Sequence, residues 1–525
     1  MRVLVLDNVA EEGLLPLRQE PELDVDVRGK MDEEELCACI GGYEALIVRS
    51  ATRVTARVLE AAGRLKVVGR AGVGVDNIDL EAATRRGVVV VNAPDGNTVA
   101  AAEHTMALML ALARLVPQAC TSLREGRWDR KSFIGVELKG KTLGILGLGR
   151  IGSEVARRAQ AMEMRVVAYD PFINEDKAAV LGVNILPLDE VLKEADFITL
   201  HLPLTQDSRH IINEQAFSVM KEGVRLINCA RGGIVDEAAL CRALESGRVA
   251  GAALDVFEQE PAVNHPLLKF PNFIATPHLG ASTREAQLGV AVDVSREVVA
   301  ALKGRLVKNA VNVPSISPQS LAVIKPFLVL AEKLGHFLSQ AVGGRMKKVE
   351  VTYSGELLEC EVTPLTTAVV KGLLDPILQQ GVNYVNATLL AKNRGIQVYS
   401  TTAADGGYNN LITVRLVTDQ EEMTIAATVF HGSDFRLVSV DGYRVDAVPE
   451  GHMLYIPHID RPRIIGPVGN LIGAHNINIA GMQVGRKVVG GKAIMLLQVD
   501  AEVPDETLRE ISRLEGVLGV RKMFV

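Results

Sequence analysis

The hexapeptide Gly147-Leu148-Gly149-Arg150-Ile151-Gly152 constrains this chain more than any other stretch. Alone, G-x-G-x-x-G is a weak signal in a chain with 47 glycines. Here the apolar run TLGIL precedes it and the helical pattern IGSEVARRAQAM follows. A second apolar run, RVVAY, then ends in Asp170, 18 residues beyond Gly152. Strand, turn, helix and strand with an acid at that distance is the context of a dinucleotide-binding unit. Gly147 permits the tight turn, Gly149 lets backbone approach a pyrophosphate, and Gly152 lets the helix pack on its strand. Arg150 and Ile151 open that helix, whose N-terminal N–H groups favour phosphate oxygens. A carboxylate at Asp170 accepts from both ribose hydroxyls and repels a 2′-phosphate. No Arg adjoins it, so the expected cofactor is NAD.

Around this unit the chain alternates short apolar strands with helical segments. RVLVLD, ALIVRS, KVVGRAG and VVVVNAP, with helices at Asp32–Ile40 and Ala56–Ala62, precede it. TLGILG, RVVAYD, FITLHLP, VRLINCA, AGAALDVF and FIATPH belong to it. Strands apolar on both faces and separated by helices imply parallel sheets. The fold class expected is α/β, with two doubly wound Rossmann-like domains followed by two α+β domains. The helix from Thr283 to Leu302 is expected to return to the first unit. That gives a substrate-binding domain over 1–97 with 283–313 and an NAD-binding domain over 98–282. VPSISP (Val313–Pro318) reads as a linker, 314–450 as an intervening domain, and 451–525 as a βαββαβ ferredoxin-like unit. At roughly 150 residues per domain, 525 residues accommodate such a series.

Composition removes other classes. Lys plus Arg is 57 against 63 for Asp plus Glu, a net charge of −6, which disfavours sequence-independent nucleic-acid binding. Six cysteines in this length do not suggest a disulfide framework, and Cys37 and Cys39 lack a second pair at metal-ligand spacing. TMALMLALA is too short to span a bilayer, and the N-terminus has no basic n-region. A cytoplasmic, metal-free protein without nucleic-acid or membrane partners is expected.

The hydride partner must come from polar segments at later strand ends. These are Asn228-Cys229-Ala230-Arg231-Gly232-Gly233, Asp255-Val256-Phe257-Glu258-Gln259-Glu260-Pro261 and Pro277-His278-Leu279-Gly280-Ala281-Ser282-Thr283. Redox chemistry at C2 of a 2-hydroxy acid needs a cation for the carboxylate, which Arg supplies bidentately. It also needs a group titrating near neutrality for the hydroxyl proton, and a carboxylate to orient it. In this order the segments resemble the D-isomer-specific 2-hydroxyacid dehydrogenases. The resemblance implies Arg231 as substrate-binding arginine, Glu260 as partner of the histidine and His278 as acid/base. Glu258 competes for the carboxylate role. It places Asp255 near the nicotinamide, with Cys229, Ala230 and Gly280 also along the cofactor. His104 reads as an interface or core histidine, and His201 as lining the crevice without moving a proton.

Arg49-Ser50 and Arg70-Ala71-Gly72-Val73-Gly74 end two strands of the first unit. They read either as an anion cradle, with the amides around Val73 and Gly74 taking a carboxylate, or as solvated strand ends. RSATRVT, GRAGVGVDNIDL, NAPDGNTVAAAEHT and WDRKSFIGVEL are similar to the branch of the family that oxidises 3-phosphoglycerate in serine biosynthesis. That likeness implies phosphate binding by Arg49, Arg70 and Arg130 of a neighbouring subunit, with Asn97 near the substrate at the hinge. It implies a homo-oligomer, dimer or tetramer. Reductases of glyoxylate, hydroxypyruvate or 2-ketoglutarate using the same triad, and a non-catalytic NAD sensor, remain alternatives. VNATLLAKNRGI resembles the extra domain of long-form members. Arg436 and Arg444 there read either as anion ligands or as solvated strand residues. The final unit resembles an ACT domain, which implies His458, Asp460 and Asn478 as serine-binding candidates in allosteric control. Arg463 stands where such modules usually have glycine, leaving serine control and a structural pairing role both open.

Overall fold

The computed structural model describes residues 1–305, 307–313, 318–378, 381–404 and 407–525. A five-stranded parallel sheet comes first, in the spatial order Asp24–Val27, Arg2–Val5, Ala45–Val48, Val67–Arg70, Val89–Asn92. Three of its strands are buried on both faces, which is why they read as continuous apolar runs. The edge strand Asp24–Val27 alternates Asp and Val and has no such run, so apolar continuity does not reveal it.

The second sheet has seven parallel strands, in the order Phe273–Ala275, Val249–Leu254, Val224–Asn228, Phe197–Leu200, Thr142–Leu146, Arg165–Tyr169, Asn184–Ile185. Its topological switch lies between Thr142–Leu146 and Phe197–Leu200, directly after which the glycine turn sits. Helix Thr98–Arg114 buries Met106, Met109 and Leu112 against this sheet. It stops at Leu115, whose φ of 54° breaks the helical path, and Pro117 lies in the first turn of the next helix, Val116–Arg124. No single helix among the described residues is long and apolar enough to cross a membrane.

Helix Arg284–Leu302 lies on the first sheet, where Val290, Ala291, Val294 and Val298 share a core with Val3, Val5, Ile47 and Val67. The backbone at Gly96, on the outward crossing between the two sheets, abuts Val290 on the return crossing. A Cβ at Gly96 would lie 2.9 Å from the Val290 nitrogen.

The stretch read as a linker includes residues 314–317, which lie outside the described residues. Helix Pro318–Ala341 begins immediately after them. It crosses helix Thr363–Leu374 on a six-stranded mixed sheet in the order Gln397–Thr402, Met346–Gly355, Asn410–Thr418, Glu422–Phe430, Asp434–Val440, Tyr443–Ala447. The final unit is an antiparallel sheet in the order Ile479–Arg486, Lys492–Val499, His452–Ile459, Arg521–Phe524, with helices Ile465–Ala474 and Asp505–Ser512. That is the ferredoxin-like strand order. One face of this sheet joins the intervening domain's core through Met453, Tyr455, Ile494, Leu496 and Met523. The Gln340 side-chain amide donates to the Phe524 carbonyl at 2.9 Å and accepts its N–H at 3.0 Å, closing the sheet's edge.

Candidate active site

The carboxyl ends of both parallel sheets carry the polar segments, the usual ligand side of doubly wound sheets. At the glycine turn, Gly147 adopts a φ of 96°, a conformation that favours glycine. A Cβ on Gly149 would meet nothing within 4 Å, so the backbone there lies open to a ligand at the start of helix Arg150–Ala161. One Asp170 oxygen accepts the Leu148 N–H at 2.8 Å and the other the Phe172 N–H at 2.9 Å, tying the acid to the glycine turn. Arg150 reaches back to Asp95 at 2.9 Å, and Ile151 and Gly152 continue the helix. An open amide cradle, a helix N-terminus and an adjacent carboxylate without a neighbouring Arg fit NAD.

Across the crevice His278 Nδ1 lies 2.9 Å from Glu260 Oε2. The hydrogen bond to Glu260 raises the His278 pKa above its ordinary value, against the opposing effect of burial. Burial pushes Glu260 upward, but the His278 hydrogen bond and charge outweigh it and hold the carboxyl below its usual range. Glu258, similar in sequence context, turns away and pairs with His210 at 2.9 Å. A cavity of about 420 Å³, lined by Phe257, Val263, Leu268 and Pro277 among others, adjoins the pair.

The support beneath His278 is only partly legible in the sequence. Asp255 is fully buried, and its carboxylate accepts from Thr276 Oγ1 at 2.6 Å, Leu279 N–H at 2.7 Å and Gly280 N–H at 2.9 Å. Its carbonyl takes the His278 N–H at 2.9 Å. Burial would raise Asp255, but hydrogen bonds from His104, Thr276 and Leu279 hold it below the ordinary carboxylate value. His104 Nε2 lies 3.2 Å from both Asp255 Oδ1 and Thr276 Oγ1. Only the position of helix Thr98–Arg114 brings it there. His201 contacts Thr199 at 3.1 Å, and burial lowers it to about 4, so it is neutral at pH 7. Burial pushes the Cys229 thiol up to about 12, leaving it unreactive.

Arg231 is aimed by Asn228, a buried residue whose side chain accepts the Ala230 N–H at 2.9 Å and donates to the Arg231 carbonyl at 2.8 Å. On the first sheet, the backbone N–H of Arg49 donates to buried Asp7 at 2.9 Å, as do the Thr52 N–H at 3.0 Å and its hydroxyl at 2.6 Å. Asn77 donates to the carbonyls of Arg49 and Thr52, closing that loop. Ser50 is exposed at its tip. Burial, then the charges of Arg231 and Arg49, lower Arg70 to about 10, so the three arginines share one locale. Arg70 Nε and Asn97 Oδ1 are buried without a partner among the described residues, as groups awaiting a ligand would be. The Val73 carbonyl is held by Asn92 at 2.6 Å, next to Gly74. Arg130 is exposed beyond helix Val116–Arg124. No His, Cys, Asp and Glu grouping suited to a metal occurs among the described residues.

The effector candidates do not converge within one chain. His458 is buried with its ring on the Ile456 carbonyl at 3.2 Å, opposite Ala493. Asn478 bonds to Asp500 at the other end of the same central strand, about 23 Å away at 3.3 Å per residue. Asp460 accepts from Arg486 at 3.2 Å. Arg463 has a φ of 69°, the left-handed conformation that suits glycine. In the intervening domain Arg436 is engaged by Asp434 and Asp446, whereas Arg444 is exposed.

Residues 106–280 match the D-isomer specific 2-hydroxyacid dehydrogenase NAD binding domain. Residues 323–441 match the D-3-phosphoglycerate dehydrogenase intervening domain, and 452–516 match the ACT domain. The chain is 48% identical to a D-3-phosphoglycerate dehydrogenase of Archaeoglobus fulgidus and 46% identical to one of Bacillus subtilis, each over 99% of both chains. Among solved structures, the TT0316 protein from Thermus thermophilus is 39% identical with a TM-score of 0.56, covering 59% of this chain and all of that one. A D-lactate dehydrogenase from Aquifex aeolicus complexed with NAD and lactic acid is 32% identical with a TM-score of 0.54, covering 60% of this chain and all of that one. With relatives of that identity matching from end to end, the chain belongs to the D-3-phosphoglycerate dehydrogenase family.

Proposed function

We propose that the chain oxidises 3-phospho-D-glycerate to 3-phosphohydroxypyruvate with NAD, the first step of serine biosynthesis. The observation that carries this reading is the gathering of Arg49, Arg70 and Arg231 in the crevice that holds the His278–Glu260 pair. Carboxylate and phosphate ends together call for several guanidinium groups, more than an uncharged tail would.

Arg231 and the amides at Val73 and Gly74 hold the carboxylate and the C2 oxygen. Arg49 and Arg70 take the phosphate, joined by Arg130 from a second copy, and Asn97 borders the substrate at the crossing between the sheets. Because Glu260 engages His278 Nδ1, Nε2 is the nitrogen left to accept the hydroxyl proton. Glu260 stabilises the imidazolium that results, and Asp255 fixes the loop that carries it. NAD, when bound against the glycine turn, supplies the hydride acceptor for C2. Cys229, Ala230 and Gly280 lie along the cofactor's path, and closing the sheets toward each other excludes water.

The C-terminal half serves control and assembly of a homo-oligomer. Serine is the effector proposed for the ACT domain. A pocket containing both His458 and Asn478 then draws them from two chains, given their separation in one.

The test follows NADH consumption with 3-phosphohydroxypyruvate and with its unphosphorylated analogue. A preference in kcat/KM on the order of 10²-fold or more for the phosphorylated substrate is expected. Equal values would remove Arg49 and Arg70 from phosphate recognition.

A further inference from the structure

Asp76 has no place in the scheme above, yet its side chain holds Arg231 from across the crevice. Arg231 Nε donates to Asp76 Oδ2 at 2.9 Å, although the two residues belong to different sheets. Arg231 Nη1 donates to the Ala230 carbonyl at 2.7 Å. A guanidinium has five N–H donors in a rigid plane. These two bonds fix that plane and leave three donors, including both on Nη2, for another acceptor. Nη2 lies directly against Gly74, where a Cβ would come within 1.8 Å of it and 2.7 Å of Asp76 Oδ2. The free face of Arg231 is thereby presented beside the amide expected to bind carboxylate.

The pair does little for the fold. The Asp76 side chain is 65% exposed and that of Arg231 29%, and ion pairs so open to water contribute little to stability. Asp76 also opposes the mutual repulsion of the arginines, since it acts on Arg70 in the direction opposite to Arg231 and Arg49. Its position is best explained by what it does to Arg231.

We propose that Asp76 is a positioning residue that sets the guanidinium plane of Arg231 before substrate arrives, so that the carboxylate meets an already oriented fork. The inference rests on the reading of Arg231 as the carboxylate-binding residue. Without Asp76, binding substrate must order the arginine, and that cost falls on affinity. At saturation the substrate itself holds Arg231, and turnover is largely retained.

The experiment uses the full-length enzyme and compares Asp76→Ala, Asp76→Asn, Arg231→Ala and the Asp76→Ala/Arg231→Ala double variant. Asp76→Ala is expected to raise KM for 3-phosphoglycerate by roughly 10-fold, with kcat within about 3-fold and NAD affinity unchanged. Asp76→Asn, which keeps an acceptor oxygen, should lie between it and wild type. The double variant should be no worse than Arg231→Ala, because Asp76 acts through that residue. A wild-type KM in Asp76→Ala beside an impaired Arg231→Ala, or losses that multiply in the double variant, would overturn the role of Asp76 alone. A wild-type KM in Arg231→Ala would instead overturn the carboxylate reading on which it stands.

Discussion

Glu258 and Glu260 illustrate what a single residue reveals in sequence and what it withholds. Both are acids in the same short segment, and spacing alone leaves them rivals. The fold sends one to His210 and the other to His278. Asn228, His104 and Thr276 are less legible still, because each acts through hydrogen bonds to neighbours that only the packed sheet brings close. Raising the His278 pKa has a directional consequence. Oxidation needs the imidazole free, so kcat/KM for the hydroxy acid should rise as pH passes upward through the elevated His278 pKa. The reverse reduction should fall over the same range. Glu260→Gln weakens the hydrogen bond that raises the His278 pKa and removes the charge that adds to it, and should move both midpoints to lower pH. His278→Ala should lower kcat by about 10²–10⁴-fold while NAD binding persists. Superimposable pH profiles for wild type and Glu260→Gln would show that this pairing does not govern the proton transfer.

Elements differ in how openly the sequence declares them. Doubly buried parallel strands such as Ala45–Val48 announce themselves by unbroken apolar runs. Asp24–Val27 and Asn184–Ile185, at sheet edges, need no such run and carry little signal. Helix Pro318–Ala341 is obscured by the Pro/Ser stretch before it and by Pro326 within it. One irregular position has a measurable effect. Arg463 occupies left-handed backbone at the start of the ACT helix, a conformation costing a non-glycine residue about 1 kcal/mol or more. Arg463→Gly relieves that strain, and the greater freedom of glycine in the unfolded chain offsets part of the gain. Amide exchange at Ile464–Val468 should slow by about twofold if opening there is local. Faster exchange would mean that the arginine side chain holds the turn by contacts of its own.

For the molecule as a whole, the ferredoxin-like order of the last unit is legible from its strand and helix pattern. Its attachment is not, since nothing in MLYIPHI or AIMLLQVD says which face meets another domain. The structure buries Met453, Tyr455, Ile494, Leu496 and Met523 in a core shared with the intervening domain. Lys487 also reaches the Asp441 carbonyl at 2.7 Å. A fragment of residues 451–525 should therefore expose an apolar sheet face and self-associate or unfold. A fragment beginning at residue 318 should stay monodisperse at the same concentration, as read by light scattering. Equal behaviour of the two fragments would mean that the shared core contributes little to stability. A test for serine binding accordingly belongs on the full chain.

The two chain crossings between the parallel sheets touch each other where Gly96 meets Val290. A body hung on two adjacent straps can swing about the line through them but resists twisting. His278 lies twelve residues before Val290 on the second strap, and Asn97 directly follows Gly96 on the first. A rotation of one sheet against the other about these straps would therefore have its pivot beside Asn97. Such a rotation would carry each group in proportion to its distance from the straps, so Asn97 would stay nearly in place while more distant strand ends would move further.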